Sequence, residues 1–203
     1  MSAYEWEILQ WRRLTLDLYR AVRHAPTPRD GHALWVAGRD DMLANHPATP
    51  IPPERRLGFR ADVAPYDPDL RFVVPVDVSV AAQRREVPTA SDGVVPFERV
   101  GRVELPGLGE LDVWWLDSYG GGMFIPLRDG SSGSVTYGGG RYLIDTVKGA
   151  DLGGDTSGLV VDLNFACQPS CAYSSEWVCP LPGPGNTLSV SADVGERYID
   201  LSQ

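Results

Sequence analysis

One lysine, Lys148, stands against seventeen arginines, and three cysteines and three histidines complete a 203-residue chain that is sparing with reactive side chains. The arginine excess reads as a compositional habit of the source rather than a binding signal. Three cysteines make no disulfide scaffold in a chain long enough to bury a sizeable core, so a cytoplasmic, reducing location is expected. No run approaches the roughly 18 apolar residues of a membrane span. The start, Met1-Ser2-Ala3-Tyr4-Glu5-Trp6, is acidic and aromatic rather than basic and then apolar, so no signal peptide is expected. Also missing are a Gly-x-Ser-x-Gly elbow, a His-Glu-x-x-His helix, a dinucleotide-binding glycine fingerprint, a calcium loop and any long repeat, which removes the best-marked enzyme classes.

The charge that is present is lopsided. The net charge is -9. Residues 1–103 carry 14 basic and 14 acidic side chains, and residues 104–203 carry 4 and 13. An acidic surface repels phosphate backbones and anionic headgroups, so neither nucleic acid nor membrane is an expected partner. Hydrophobic residues at 43% and charged residues at 22% are ordinary for a globular chain, whereas 22 glycines and 17 prolines favour many turns and short strands.

Ser2-Ala3-Tyr4-Glu5 has the form of a capping box, and Tyr4, Ile8, Trp11, Leu18 and Val22 recur at helical spacing, predicting an amphipathic helix to about Arg23. Thr27-Pro28 opens a second helix that runs to Ala44 before His46-Pro47, with Gly31 and Gly38 weakening it. A proline-rich stretch at 48–53 follows. Strands are predicted at 70–80, with Pro75 marking an edge or bulge, then at 94–105 and 111–119 around the turn Pro106-Gly107-Leu108-Gly109. Further strands are expected at 123–127, 140–147, 158–163 and 187–192. The expected fold is mostly β, an antiparallel sandwich or barrel, with an N-terminal two-helix arm over residues 1–47 and a β domain over 48–203 in one structural unit. The arm could dock on its own domain or make a homodimer.

The densest polar cluster runs from Asp129 to Tyr142, a glycine-rich loop between apolar strands. Its glycines would let backbone N–H groups approach a ligand, and Arg141 would clamp a carboxylate or phosphate, aided by Ser132, Thr136, Tyr137 and Tyr142. The plainer alternative is that Asp129 and Arg141 pair with each other and the hydroxyls satisfy backbone groups. Asp162 and Asn164, two apart at a strand end, would address one spot, or else cap the following turn. Asp129 and Asp162 are the candidate general bases, since a carboxylate beside an arginine in a dry pocket is tunable. Cys171 and Cys179 have neither a CxxC nor a zinc-knuckle spacing, and the three histidines lie far upstream. A Cys-based metal or redox site is thus a minor alternative to two thiols or a bridge.

Taken in order, Phe124-Ile125-Pro126-Leu127-Arg128-Asp129, Thr136-Tyr137-Gly138-Gly139-Gly140-Arg141-Tyr142-Leu143, Val161-Asp162-Leu163-Asn164-Phe165-Ala166, Pro169-Ser170-Cys171-Ala172-Tyr173, Cys179-Pro180-Leu181-Pro182 and Gly195-Glu196-Arg197 resemble a family catalogued as domain of unknown function 1684. Trp11-Arg12 and the stretch from Gly38-Arg39-Asp40 to His46-Pro47 extend the resemblance over the whole chain. It implies no activity. Where the family reads Pro-Pro-x-Glu-Asn, this chain reads Pro182-Gly183-Pro184-Gly185-Asn186, so a carboxylate is replaced by Gly185. The function expected from all this is binding of a small anionic molecule under the 129–142 loop, with or without turnover. The alternative is a structural or interaction protein.

Overall fold

The computed structural model describes residues 3–89 and 93–201. Helix α1 (Ala3–Arg23) carries Glu5 in its first turn and Arg20 and Arg23 in its last, each sign matching the helix dipole. Ser2 of the expected capping box lies outside the described residues. Helix α2 (Pro28–Asn45) begins as its sequence requires: Thr27 Oγ1 accepts the Asp30 N–H at 3.1 Å, and Pro28 gives up no needed donor. Gly31 and Gly38 let the helices close on each other. A Cβ at Gly38 would meet Leu18 at 2.7 Å and one at Gly31 would meet the Val22 carbonyl at 3.0 Å.

Eight strands follow: β1 (Arg71–Val74), β2 (Val76–Asp77), β3 (Arg84–Pro88), β4 (Val94–Leu105), β5 (Gly109–Leu116), β6 (Met123–Leu127), β7 (Arg141–Asp145) and β8 (Leu159–Asp162). The larger sheet has the order β2-β4-β5-β6-β7 with β3 also on β4, and β1 pairs with β8 in a second sheet; all pairings are antiparallel. The predicted segment 70–80 is therefore two strands. Pro75, which has no N–H to give a ladder, stands where the chain leaves one sheet for the other. The predicted turn closes the β4–β5 hairpin, with Leu105 opposite Gly109.

The two sheets pack face to face as a sandwich and do not close into a barrel. Val74, Leu159 and Val161 of the small sheet share a core with Val103, Leu105, Leu111, Val113, Ile125 and Leu143 of the large one. A second layer, Phe97, Trp114, Phe124 and Tyr142, covers the outer face of the large sheet. The arm rests on its own β body. Tyr19, Val22 and Trp35 pack on Ala150 and Phe165, and Leu43 joins Ile51, Phe59 and Tyr173. Burying Trp35 and Leu43 completely contributes about 2–3 kcal/mol each, so the arm is an integral wall rather than an appendage.

Residues 187–192 do not form the expected strand. Only Thr187 bridges, in parallel to Arg128, and the carbonyls downstream are taken by a side chain described next.

Candidate functional site

Every Nη direction of Arg141 is used inside the chain. Nη2 donates to Asp129 Oδ2 at 2.8 Å and to the Ala192 carbonyl at 2.9 Å, and Nη1 donates to the carbonyls of Val194 and Glu196. The ion pair has no solvent exposure at either end. Asp129 Oδ1 collects the Ser131 N–H and hydroxyl at 2.7 and 2.5 Å. Ser131 meets Thr136 Oγ1 at 3.0 Å, and Ser132 Oγ accepts the Asp129 N–H at 3.1 Å. The loop thus brings Asp129, Ser132, Thr136 and Arg141 together, as a strut that holds the C-terminal segment against the sheets. Burial lowers the Arg141 pKa, against the pull of Asp129, and Nε finds no partner.

Asp162 and Asn164 also meet, and they staple the loop before β1. Asn164 Nδ2 donates to Asp162 Oδ1 and to the Asp67 carbonyl, each at 2.8 Å, while its Oδ1 accepts the Asp67 N–H at 2.7 Å. Burial raises the Asp162 pKa; the Asn164 hydrogen bonds and Arg71 oppose it. Asp162 lines a cavity of about 130 Å³ with Arg23 and Arg71.

A cleft lined by charged and apolar side chains together lies where the arm meets the body. Trp11, Leu18, Tyr19, Trp35, Met42 and Leu43 form its apolar side; Arg39, Tyr142, Asp145, Lys148, Cys167, Gln168 and Tyr173 form its polar side; its volume is about 90 Å³. Behind it sits Glu196, fully buried. Its carboxylate accepts from Arg39 Nε, from Arg39 Nη2 and Tyr173 Oη at 3.0 Å each, and from the Gln168 N–H at 2.6 Å. Four donors satisfy this buried charge, and they tie α2 to the body. Burial is the largest influence and opposes the Arg39 charge, but Glu196, Tyr173 and Cys167 together push the guanidinium pKa up. Burial and the Glu196 charge likewise raise the Tyr173 pKa, keeping it a hydroxyl donor. Lys148 Nζ lies 3.3 Å from Asp145 Oδ2 with half its side chain in solvent. Gln168 Oε1 is buried without a hydrogen-bond partner.

Of the candidate site residues read from the sequence, only Tyr142 lines this cleft, and its hydroxyl donates to the Pro180 carbonyl at 2.8 Å. Tyr137 lies apart, ring against Tyr198, its hydroxyl 3.3 Å from the Cys171 carbonyl. Arg39, Gln168 and Glu196 went unread as site residues because no local motif joins positions 157 and 28 residues apart. The available signal was that Arg39 and Glu196 fall within the family-like stretches.

All three cysteines are free and half-buried. Among the described residues no group of three or more His, Cys, Asp or Glu side chains is arranged to hold a metal ion, so Cys171 and Cys179 lack the further ligands that zinc needs. No described helix is long and apolar enough to cross a membrane.

Residues 59–197 match the family described as "Protein of unknown function (DUF1684)". The chain belongs to the DUF1684 family. The match spans both sheets and the cleft's polar side from Tyr142 to Tyr173. An uncharacterized protein of Haloarcula marismortui, solved by solution NMR, has a similar structure. It is 29% identical to this chain, with a TM-score of 0.58, and the alignment covers 84% of this chain and 94% of that one. No curated protein matches this chain.

Proposed function

We propose that this DUF1684 protein binds a small molecule bearing an anionic group in the cleft between the helical arm and the β body. The observation that carries the reading is that the cleft brings together the charged Arg39 and Lys148 with Gln168, whose side chain donates from Nε2 to the Arg197 carbonyl at 3.0 Å and keeps a buried Oε1 without a hydrogen-bond partner. A buried polar atom left unpaired costs about 1–3 kcal/mol, and a donor on a ligand removes that cost. Arg39 and Lys148 line the same cleft and carry positive charge, Arg39 paired with Glu196 and Lys148 with Asp145. Lys148 is the one able to turn from Asp145 to a ligand, because half of it is already in solvent. Opposite them, Trp11, Leu18 and Met42 offer apolar contact.

The ligand class follows from size and chemistry. The volume of about 90 Å³ is below the roughly 150 Å³ that holds a benzene ring, so a few heavy atoms enter. One donor for Gln168 and one anion for Lys148 describe a small hydroxy- or amino-carboxylate. The anchor is then Lys148, not Arg141, whose Nη donors are spent on the fold. The test is a thermal-shift panel of such acids on the wild type, on Lys148→Met and on Gln168→Met. A binder at a hundred times its Kd contributes about 2.7 kcal/mol. For a chain of this size that is a rise of roughly 5–10 °C. The rise should shrink in both variants; a rise unchanged in both, or no rise with any acid, refutes the reading.

A further inference from the structure

The cavity of about 130 Å³ beside Asp162 adjoins, across Thr27, Pro28 and Arg71, an open groove of about 470 Å³, and neither shares a residue with the cleft. Three arginines stand around this joined space: Arg23 on the inner cavity, Arg29 on the outer groove and Arg71 on both. Among the described residues the Arg71 guanidinium makes no hydrogen bond, and its ion-pair partner, Asp162 Oδ2, lies 3.7 Å from Nε, too far for one. Arg29 pairs with no carboxylate among the described residues and rests over the Tyr66 ring, 5.3 Å from its centroid. Arg23 donates to the Asp151 carbonyl, with the Asp151 carboxylate 3.8 Å away. The acids next along the chain are engaged locally: Asp30 accepts the Thr27 hydroxyl at 2.7 Å, and Asp67 Oδ1 accepts the Asp69 N–H at 3.0 Å.

Asp162 supplies the complement to these donors. Its Oδ1 accepts the Asn164 N–H at 3.0 Å and Asn164 Nδ2 at 2.8 Å, whereas Oδ2 has only the Tyr66 hydroxyl at 3.4 Å and Arg71 at 3.7 Å. A carboxylate oxygen has two lone pairs, so this buried Oδ2 keeps room for a donor brought by a ligand. Arg71 and Tyr66, toward which it stands, both line the groove. Val22, Val160 and Phe165 close the inner cavity with apolar surface.

We propose that this groove is a second binding site, distinct from the cleft, which takes the phosphomonoester of a short polyol: phosphate on Arg29 and Arg71, a hydroxyl on Asp162 Oδ2. A carboxylate has two oxygens and is answered by one guanidinium fork. A phosphomonoester has three terminal oxygens and close to two charges, which a pair of guanidiniums with unspent donors matches. The polyol follows from the inner cavity, whose polar wall away from the arginines is Asp162. Its volume of about 130 Å³ is close to the roughly 150 Å³ that holds a benzene ring, so a chain of a few heavy atoms enters behind the phosphate.

The test is a calorimetric titration of the full chain with glycerol phosphate and, separately, with inorganic phosphate, which lacks the polyol. The wild type should bind both saturably and glycerol phosphate about tenfold more tightly, as one hydrogen bond to a charged group provides. Arg71→Met and the exposed Arg29→Met should each weaken both ligands about tenfold. Asp162→Asn should remove the preference for glycerol phosphate: Asn164 holds the remaining oxygen, so the amide nitrogen takes the place of Oδ2 and accepts nothing. Circular dichroism shows that each variant is folded, and Arg29, being on the surface, keeps the test open if the Arg71 or Asp162 variant is not. Amide shifts during the titration should centre on Arg29 and Val160, with the Gln168 side chain still. No saturable binding of either phosphate, unchanged affinity in folded Arg29→Met, or shifts centred on Gln168 and Lys148 would each overturn the site; equal affinity of the wild type for the two ligands would overturn the polyol assignment.

Discussion

Replacing Arg141 by methionine tests whether the polar cluster is a strut. The side chain of methionine fills much of the same space, but four acceptors lose their donor: Asp129 Oδ2 and the carbonyls of Ala192, Val194 and Glu196. Asp129 would be left as a buried charge with only Ser131 and a long contact from the Ala192 N–H. Removing one partner of a buried ion pair costs about 3–5 kcal/mol. With roughly 2–4 °C per kcal/mol for a domain of this size, Arg141→Met should melt about 6–20 °C lower. Adding Asp129→Asn removes the stranded charge, so the double variant should be more stable than Arg141→Met alone, a coupling that independent sites do not show. Differential scanning calorimetry reads all three proteins. If Arg141→Met melts within 2 °C or so of the wild type, the guanidinium is not holding the C-terminal segment and the strut account fails.

Three further outcomes follow from the same structure. Burial lowers the pKa of His32 and His46, so the unfolded chain binds more protons than the native one once pH drops to their ordinary value near 6.5. Stability from these two groups is full above that pH and is lost as pH falls through their lower folded values, and His32→Phe should flatten the slope; urea melts at stepped pH would show otherwise if the slope is unchanged. Gly185 faces Asp112, which Arg99 and Arg102 hold at 3.2 and 2.8 Å, and a Cβ there would lie 2.7 Å from Asp112 Cγ. Gly185→Glu should therefore cost about 1–3 kcal/mol alone and be tolerated beside Asp112→Gly, since one carboxylate then serves both arginines; equal melting of the two variants would contradict this. Asn164→Ala should cost about 1–3 kcal/mol by freeing the Asp67 amide and carbonyl, and hydrogen exchange should rise at Asp67 first.

The elements that were legible in the sequence are those whose signals are local. The 3.6-residue recurrence of Tyr4, Ile8, Trp11, Leu18 and Val22 gave α1, the Thr27-Pro28 start gave α2, and Pro106-Gly107-Leu108-Gly109 gave the β4–β5 hairpin. Strand β3 escaped because Arg84-Arg85-Glu86 reads as a charged loop, yet it pairs with β4, where Arg84 reaches Glu98 and Asp117 at 3.0 and 2.9 Å. The false strand at 187–192 arose from alternating Leu188, Val190 and Ala192. That alternation does face the core at Leu188 and Ala192, but the carbonyls of Ala192 and Val194 go to Arg141 instead of a neighbouring strand. Within the polar cluster the members were foreseen and so was their mutual pairing, as the plainer of two readings. The cleft was not foreseen, because Arg39, Lys148, Gln168 and Glu196 meet only through the docking of α2 on the body, a contact no spacing rule encodes. Lys148 in particular, set aside as a trait of composition, proves to line it.

Ligand binding in the cleft between arm and body is tested directly by an amide and side-chain NMR titration of the labelled protein with the acid that shifts its melting temperature most. The Gln168 side-chain amide, Lys148 and Arg39 should move together and saturably, with Asp129 and Arg141 still. Shifts centred on residues 129–141, with Gln168 and Lys148 unmoved, would contradict it.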